Sequence, residues 1–63
     1  MEAHQERVVT EKKELDEKIE KLNTFTDGDF FKTLPLMEQS RLARQLHAMT
    51  TYSEILGERI AEF

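Results

Sequence analysis

Between Ser40 and Phe63 the apolar residues Leu42, Leu46, Met49, Leu56, Ile60 and Phe63 recur at gaps of 4, 3, 7, 4 and 3. That spacing is a heptad seam, the pattern of a helix whose one stripe packs along another helix. Ser53 is its polar member, standing where another apolar residue would fall, and Tyr52 and Ile55 form a second row beside it. An apolar face this wide must be covered. The rest of the chain therefore reads as the covering partner or as the connection that delivers it.

Residues 3–23 supply the partner. They contain no proline or glycine, and strong helix formers dominate. Val8, Leu15, Ile19 and Leu22 lie on one stripe, with Gln5 and Lys12 at the seam positions between and Val9 widening it. Glu14–Lys18 and Glu17–Lys21 are i,i+4 pairs in the favourable order, contributing about 0.3 kcal/mol each; the outer face reads as solvated.

Residues 23–29, NTFTDGD, gather turn formers and mark the break. Thr26 followed by Asp29 resembles a loose cap. Phe30, Phe31 and Leu34 suggest a short helical turn that Leu34-Pro35 ends, because a residue before proline avoids the helical region. Pro35 suits the first position of the next helix, Thr33 a nearby cap, and Glu38 the positive end of the helix dipole. The expectation is one all-α domain over residues 1–63, an antiparallel helical hairpin. Helix one covers about 3–23, the connection 24–34 with its short helical turn, and helix two about 35–62. Helix two would then be roughly 42 Å long against about 30 Å for helix one. Gly57, inside helix two, reads either as close helix approach or fraying, or as room for a ligand near Arg59.

A 63-residue chain buries little surface and often needs a staple. With no cysteine it has neither a disulfide nor a thiolate zinc site, and its two histidines lack a metal-binding spacing. Two helices leave several large apolar residues wet, each worth about 1.5–3 kcal/mol when buried. A compact homo-oligomer is therefore expected. No apolar run approaches the ~20 residues of a membrane span and no signal-peptide pattern opens the chain, so a cytoplasmic protein with no membrane contact is expected. The net charge of −4 is spread along the chain and no basic block exists, which disfavours a DNA or RNA polymer as partner.

No arrangement of serine, histidine and acid suits nucleophilic catalysis, and two glycines make no phosphate loop. A non-enzymatic protein without cofactor, metal or catalytic residues is expected. Cations and polar groups near the helix ends remain: Arg7, Lys18 and Lys21 on helix one, Asn23 and Thr24 at its close, Arg59 late in helix two. Antiparallel packing brings the start of helix one near the end of helix two, so Arg7, Arg59 and His4 could converge as a phosphate-and-base site. Equally, Arg7 and Arg59 could pair with Glu6, Glu58 or Glu62 as surface ion pairs.

Three stretches in order, HQERVVTEKKELDEKIEKLNTF, FFKTLP and MEQSRLARQLHAMTTYSEILGERI, resemble a family of very small phage proteins, the anti-CBASS cyclic-oligonucleotide sponges. These share a helical hairpin domain with the larger Thoeris anti-defence sponges. The resemblance covers about residues 4–60. ERVVTEKKELDEKIEKL and the series Met49, Tyr52, Ser53, Ile55, Leu56, Arg59 and Ile60 carry most of it. The chain has no room for the β-rich insertion of the Thoeris relatives, so it looks like the anti-CBASS branch.

The resemblance implies a hexamer of hairpins in the cytoplasm of the infected bacterial host. Cyclic dinucleotides would be held intact between protomers and cyclic trinucleotides in separate pockets, so that CBASS effectors are never switched on. It implies an arginine late in helix two for the trinucleotide, matched by Arg59 in Gly57-Glu58-Arg59-Ile60. It implies a phosphate-binding lysine late in helix one, matched by Lys21 or less well by Lys18, and a polar group matched by Asn23 or Thr24. The stacking aromatic expected early in helix one has no counterpart within residues 3–23. His4 is the only ring near that place, so either it stacks instead or the dinucleotide site is altered. The competing reading, of a different class, is a protein-binding coiled-coil hairpin that acts as an inhibitor or scaffold subunit.

Overall fold

The computed structural model describes residues 1–63. Helix α1 spans Ala3–Asp27, the one-turn helix α2 Asp29–Lys32 and helix α3 Leu36–Ala61. The structure is all-helical, and α1 packs antiparallel along α3 as a hairpin 46 Å long and 14 Å by 13 Å across. No helix is long and apolar enough to cross a membrane.

Helix α1 opens on Glu2, whose backbone N–H donates to Gln5 Oε1 at 2.9 Å. It ends later than the expected residue 23 and continues through Asp27. Asn, Thr and Asp are poor but tolerated in a helix, each costing less than ~0.7 kcal/mol, and tertiary packing outweighs that preference here. The Phe25 ring meets Phe30 and Phe31 edge-on, with centroids 6.0 and 6.2 Å apart. Thr26 Oγ1 donates back to the Asn23 carbonyl at 2.9 Å. Helix one therefore does carry an aromatic, Phe25, but at the closed end and engaged in packing. The break falls on Gly28, where the backbone turns extended (φ −85°, ψ 164°).

The capping expected of Thr26 and Asp29 is not used, because α2 starts after Gly28 with no side-chain cap. Thr33 closes α2 rather than opening α3: its hydroxyl donates to the Phe30 carbonyl at 2.6 Å. Pro35 sits immediately before α3, its carbonyl accepting the N–H groups of Glu38 and Gln39 at 2.9 and 3.0 Å. Gln39 then ties the connection down, its amide donating to the carbonyls of Leu34 and Lys32 at 2.9 and 3.3 Å.

The seam follows the heptads on both helices. Val8 on α1 and Ser53 and Leu56 on α3 are buried. Gln5, Lys12, Leu15, Ile19 and Leu22 on α1, and Leu42, Leu46, Met49 and Ile60 on α3, are half-buried. Phe63 drops off the expected seam because α3 ends at Ala61. The pairs Glu14–Lys18 and Glu17–Lys21 do not close; the i,i+4 bridge that forms is Lys12–Asp16 at 3.0 Å. Exposed pairs gain too little to hold two long side chains in place, whereas Lys12 is already fixed from across the hairpin.

The chain exposes 4935 Å². A compact monomer of 7.4 kDa would expose about 4,200 Å². Its radius of gyration is 14.5 Å, against about 10.6 Å for a globule of this length. Leu36 (81% exposed), Met37 (65%) and Phe30 (64%) are among the side chains left in solvent.

Gly57 faces Lys12 across the hairpin. A Cβ built there would lie 3.4 Å from Lys12 Cε, the movable end of a flexible side chain, and meet nothing else. Alanine therefore fits, and the helix-propensity gain decides the sign. Gly57→Ala is expected to raise stability by about 0.5–1 kcal/mol, read as a higher urea midpoint at unchanged m-value.

Candidate functional site

The level of each residue follows from one cross-hairpin contact. Lys12 Nζ donates to Ser53 Oγ at 2.8 Å, so the chain ends on either side of this pair share one end of the hairpin. His4 and Arg7 from α1 and Arg59 from α3 lie at that open end. Lys21, Asn23 and Thr24 lie towards the closed end, beneath the connection, with Lys18 one turn back. All seven side chains are exposed.

Proximity of level does not make one pocket of them. Arg7 lines a shallow furrow on α1 with Glu6, Thr10, Glu11 and Glu14. Arg59 lines another on α3 with Ile55, Glu58, Glu62 and Phe63. Lys21 and Thr24 line a third with Glu17 and Glu20. The furrows share no residue, so the convergence of Arg7 with Arg59 is not met within one chain. Each furrow holds one cation among two or three carboxylates, an arrangement too acidic to hold a polyanion alone. The predicted surface ion pairs are absent as well: none of Arg7, Lys18, Lys21 and Arg59 lies within 4.0 Å of a carboxylate. These four cations are free to meet groups from outside the chain.

The best-formed polar cluster lies elsewhere, in the seam. Lys12 Nζ donates to Asp16 Oδ2 at 3.0 Å as well as to Ser53 Oγ. The Ser53 hydroxyl donates to Asp16 Oδ1, closing the triangle. The Ser53 hydroxyl, then the Lys12 ammonium, hold the Asp16 carboxyl below its usual 3.8, against a smaller opposing effect of desolvation. Beside it the Tyr52 hydroxyl donates to a Glu11 carboxylate oxygen, a second cross-hairpin bond. Asp16 and Glu11 carry no signal of their own in the sequence. Lys12 and Ser53 do: Ser53 is the polar interruption of its heptad stripe and Lys12, with Gln5, one of two on the other, and an antiparallel fold brings Lys12 and Ser53 together.

A depressed carboxyl pKa stabilises the fold above the unfolded value, and that contribution is lost as pH falls through the folded one. Native hairpin stability should therefore fall below about pH 4. Asp16→Asn should remove the part of this decline due to the cluster, leaving a flatter profile in acid titration followed by circular dichroism.

A family model described as Sequestin matches residues 2–62. The chain is also 40% identical over 61 residues to an uncharacterized 7.5 kDa protein of the denB-rIIB intergenic region of Enterobacteria phage T4, covering 97% of this chain and 95% of that one. No solved structure matches.

Proposed function

Because the chain belongs to the Sequestin family, we propose that it is a phage-encoded sponge that binds and holds cyclic oligonucleotide second messengers intact, keeping them from CBASS effectors in the host cytoplasm. The family match over nearly the whole chain carries this reading, since its name denotes sequestration and the relative belongs to a phage. Two structural observations support it. Arg7, Lys18, Lys21 and Arg59 are exposed and unpaired, as phosphate-binding groups must be before a ligand arrives. Each furrow alone is too acidic, so an anionic site must draw cations from several copies.

The exposed surface in excess of a globule supports a homo-oligomer, with the hexamer of the anti-CBASS sponges as the expected form. Within it Arg59 and the Asn23–Thr24 pair would serve a cyclic trinucleotide, and Lys21, assisted by Lys18, the phosphates of a cyclic dinucleotide. His4 and Arg7 supply a ring and a guanidinium at the open end. The protein performs no chemistry on the ligand.

The decisive experiment mixes the pure protein with cyclic di- and trinucleotides, removes free ligand, heat-denatures the protein and chromatographs the extract. Intact ligand recovered in stoichiometric amount is the expected result. Ligand never retained overturns the sponge reading, and degraded ligand points to a nuclease. The protein-binding hairpin is favoured by one observation, the exposure of Phe30, Leu36 and Met37 around the closed end. Light scattering separates the two: a sixfold mass supports the sponge, while a monomer or dimer that retains a stoichiometric host protein supports the hairpin inhibitor.

A further inference from the structure

We propose that Tyr52 is a positioning residue for Arg7: its hydroxyl holds the Glu11 carboxylate across the hairpin, away from the Arg7 guanidinium, and so keeps that arginine open to an anion. The use made of an open Arg7 rests on the sponge reading; the competition of Tyr52 with Arg7 for Glu11 does not.

The state of each of the four arginines follows from the acids within its helical reach. A helical residue meets those three and four places away on either side. For Arg41 these include Glu38, and the two are paired, Arg41 Nε donating to Glu38 Oε1 at 2.8 Å. For Arg44 they are Ser40, Arg41, His47 and Ala48, with no acid among them. For Arg59 the acid is Glu62, which lies past Ala61, the last residue of α3. For Arg7 they are Ala3, His4, Thr10 and Glu11. Glu11 lies inside α1 and lines the same furrow as Arg7, yet Arg7 has no carboxylate within 4.0 Å. Arg7 is thus the one arginine that stays unpaired with an acid at helical spacing in its own helix. Of the other acids in its furrow, Glu6 is its neighbour in sequence and faces elsewhere around α1, and Glu14 is two turns away.

Two things set Glu11 apart from Glu38. An arginine that precedes its acid is the weaker order along a helix, which weakens the pair without abolishing it. Glu11 also has another partner, because the Tyr52 hydroxyl donates to its Oε2. Directly beside that bond Lys12 Nζ donates to Ser53 Oγ at 2.8 Å, and Asp16 accepts from both. Two consecutive residues of α1 are therefore tied to two consecutive residues of α3, and the neighbouring contact fixes the level at which the tyrosine hydroxyl arrives. Its bond to a carboxylate is charge-assisted, and a tyrosine ring gives up few rotamers in making it. An exposed ion pair must order two long side chains for little gain. The hydroxyl wins the carboxylate, and the guanidinium is left open.

The test reads the Arg7 Nε–H of the ligand-free full-length protein by its exchange with water in proton–nitrogen spectra, assigned with Arg7→Lys. Arg41 is the internal reference for a paired guanidinium and Arg59 for an open one. In the wild type Arg7 should exchange as fast as Arg59. Tyr52→Phe keeps the ring and removes the hydroxyl, and should slow Arg7 by about two- to threefold towards Arg41. Tyr52→Phe/Glu11→Gln should restore the wild-type rate. Pyrophosphate, an anionic probe independent of any messenger, should shift the Arg7 signal. It should bind about two- to threefold more weakly to Tyr52→Phe and more tightly than wild type to Glu11→Gln, which removes a negative charge beside the site. A bond that served the fold alone would give both single variants the same sign, since each breaks it. The proposal is overturned if Arg7 exchanges as slowly as Arg41 in the wild type, or if Tyr52→Phe leaves its exchange unchanged. It is equally overturned if pyrophosphate does not shift wild-type Arg7, or if Glu11→Gln weakens that binding as Tyr52→Phe does. A wild-type protein that retains no cyclic oligonucleotide would remove the sponge reading and leave these results standing.

Discussion

Leu56→Ala is expected to leave the protein largely unfolded at room temperature. Leu56 is the one large side chain with no exposed surface, and with Val8 it makes up the fully apolar core. Truncating a buried leucine costs about 2–5 kcal/mol through lost burial and the cavity left behind. A single core in a chain this short supplies only about 3–5 kcal/mol, so one substitution consumes most of the margin. The site has little room to collapse, because its neighbours Val8 and Ser53 are held by the helices and by the Lys12 network. Urea denaturation followed at 222 nm should show the native transition absent or shifted towards zero denaturant. A loss under about 1 kcal/mol would mean that contacts between copies, rather than the intrachain seam, hold the fold.

Arg59→Ala is expected to abolish or sharply reduce capture of cyclic trinucleotides while leaving helicity and assembly mass unchanged. The guanidinium is exposed and makes no ion pair, so its removal should alter stability by less than about 0.5 kcal/mol. A hydrogen bond between charged groups is worth about 1.5–3 kcal/mol, and arginine can offer a phosphate two parallel bonds. A loss of roughly tenfold to more than a hundredfold in retained ligand follows. Arg59→Lys should recover part of it, keeping the charge without the fork. Undiminished capture by the alanine variant would remove Arg59 from the ligand site while leaving the sponge reading to the wild-type experiment.

Much of the fold is legible in residue spacing. The stripes Val8-Leu15-Ile19-Leu22 and Leu42-Leu46-Met49-Leu56-Ile60 identify two helices and the faces they bury, because helical periodicity is a property of each segment by itself. Leu34-Pro35 marks the start of α3 within a residue, since proline restricts the backbone locally and strongly. The end of α1 is not legible. Asn23, Thr24, Thr26 and Asp27 favour turns, and only the packing of Phe25 on Phe30 and Phe31 shows that the helix runs on to Asp27. Phe63 fits the heptad numerically but lies past the end of α3.

The candidate ligand residues divide the same way. Their place near the helix ends can be read from position alone. Their separation into three furrows cannot, because which way Arg7 and Arg59 point around their helices depends on how the seam rotates each helix against its partner. By itself the chain's order of residues determined the helices, their buried faces, the absence of any cysteine and the even spread of negative charge. The tertiary structure decided the register. It set Lys12 against Ser53 and drew in Asp16, because the spacing within one helix does not state which residue of the other stands opposite, and only contacts between distant segments show that.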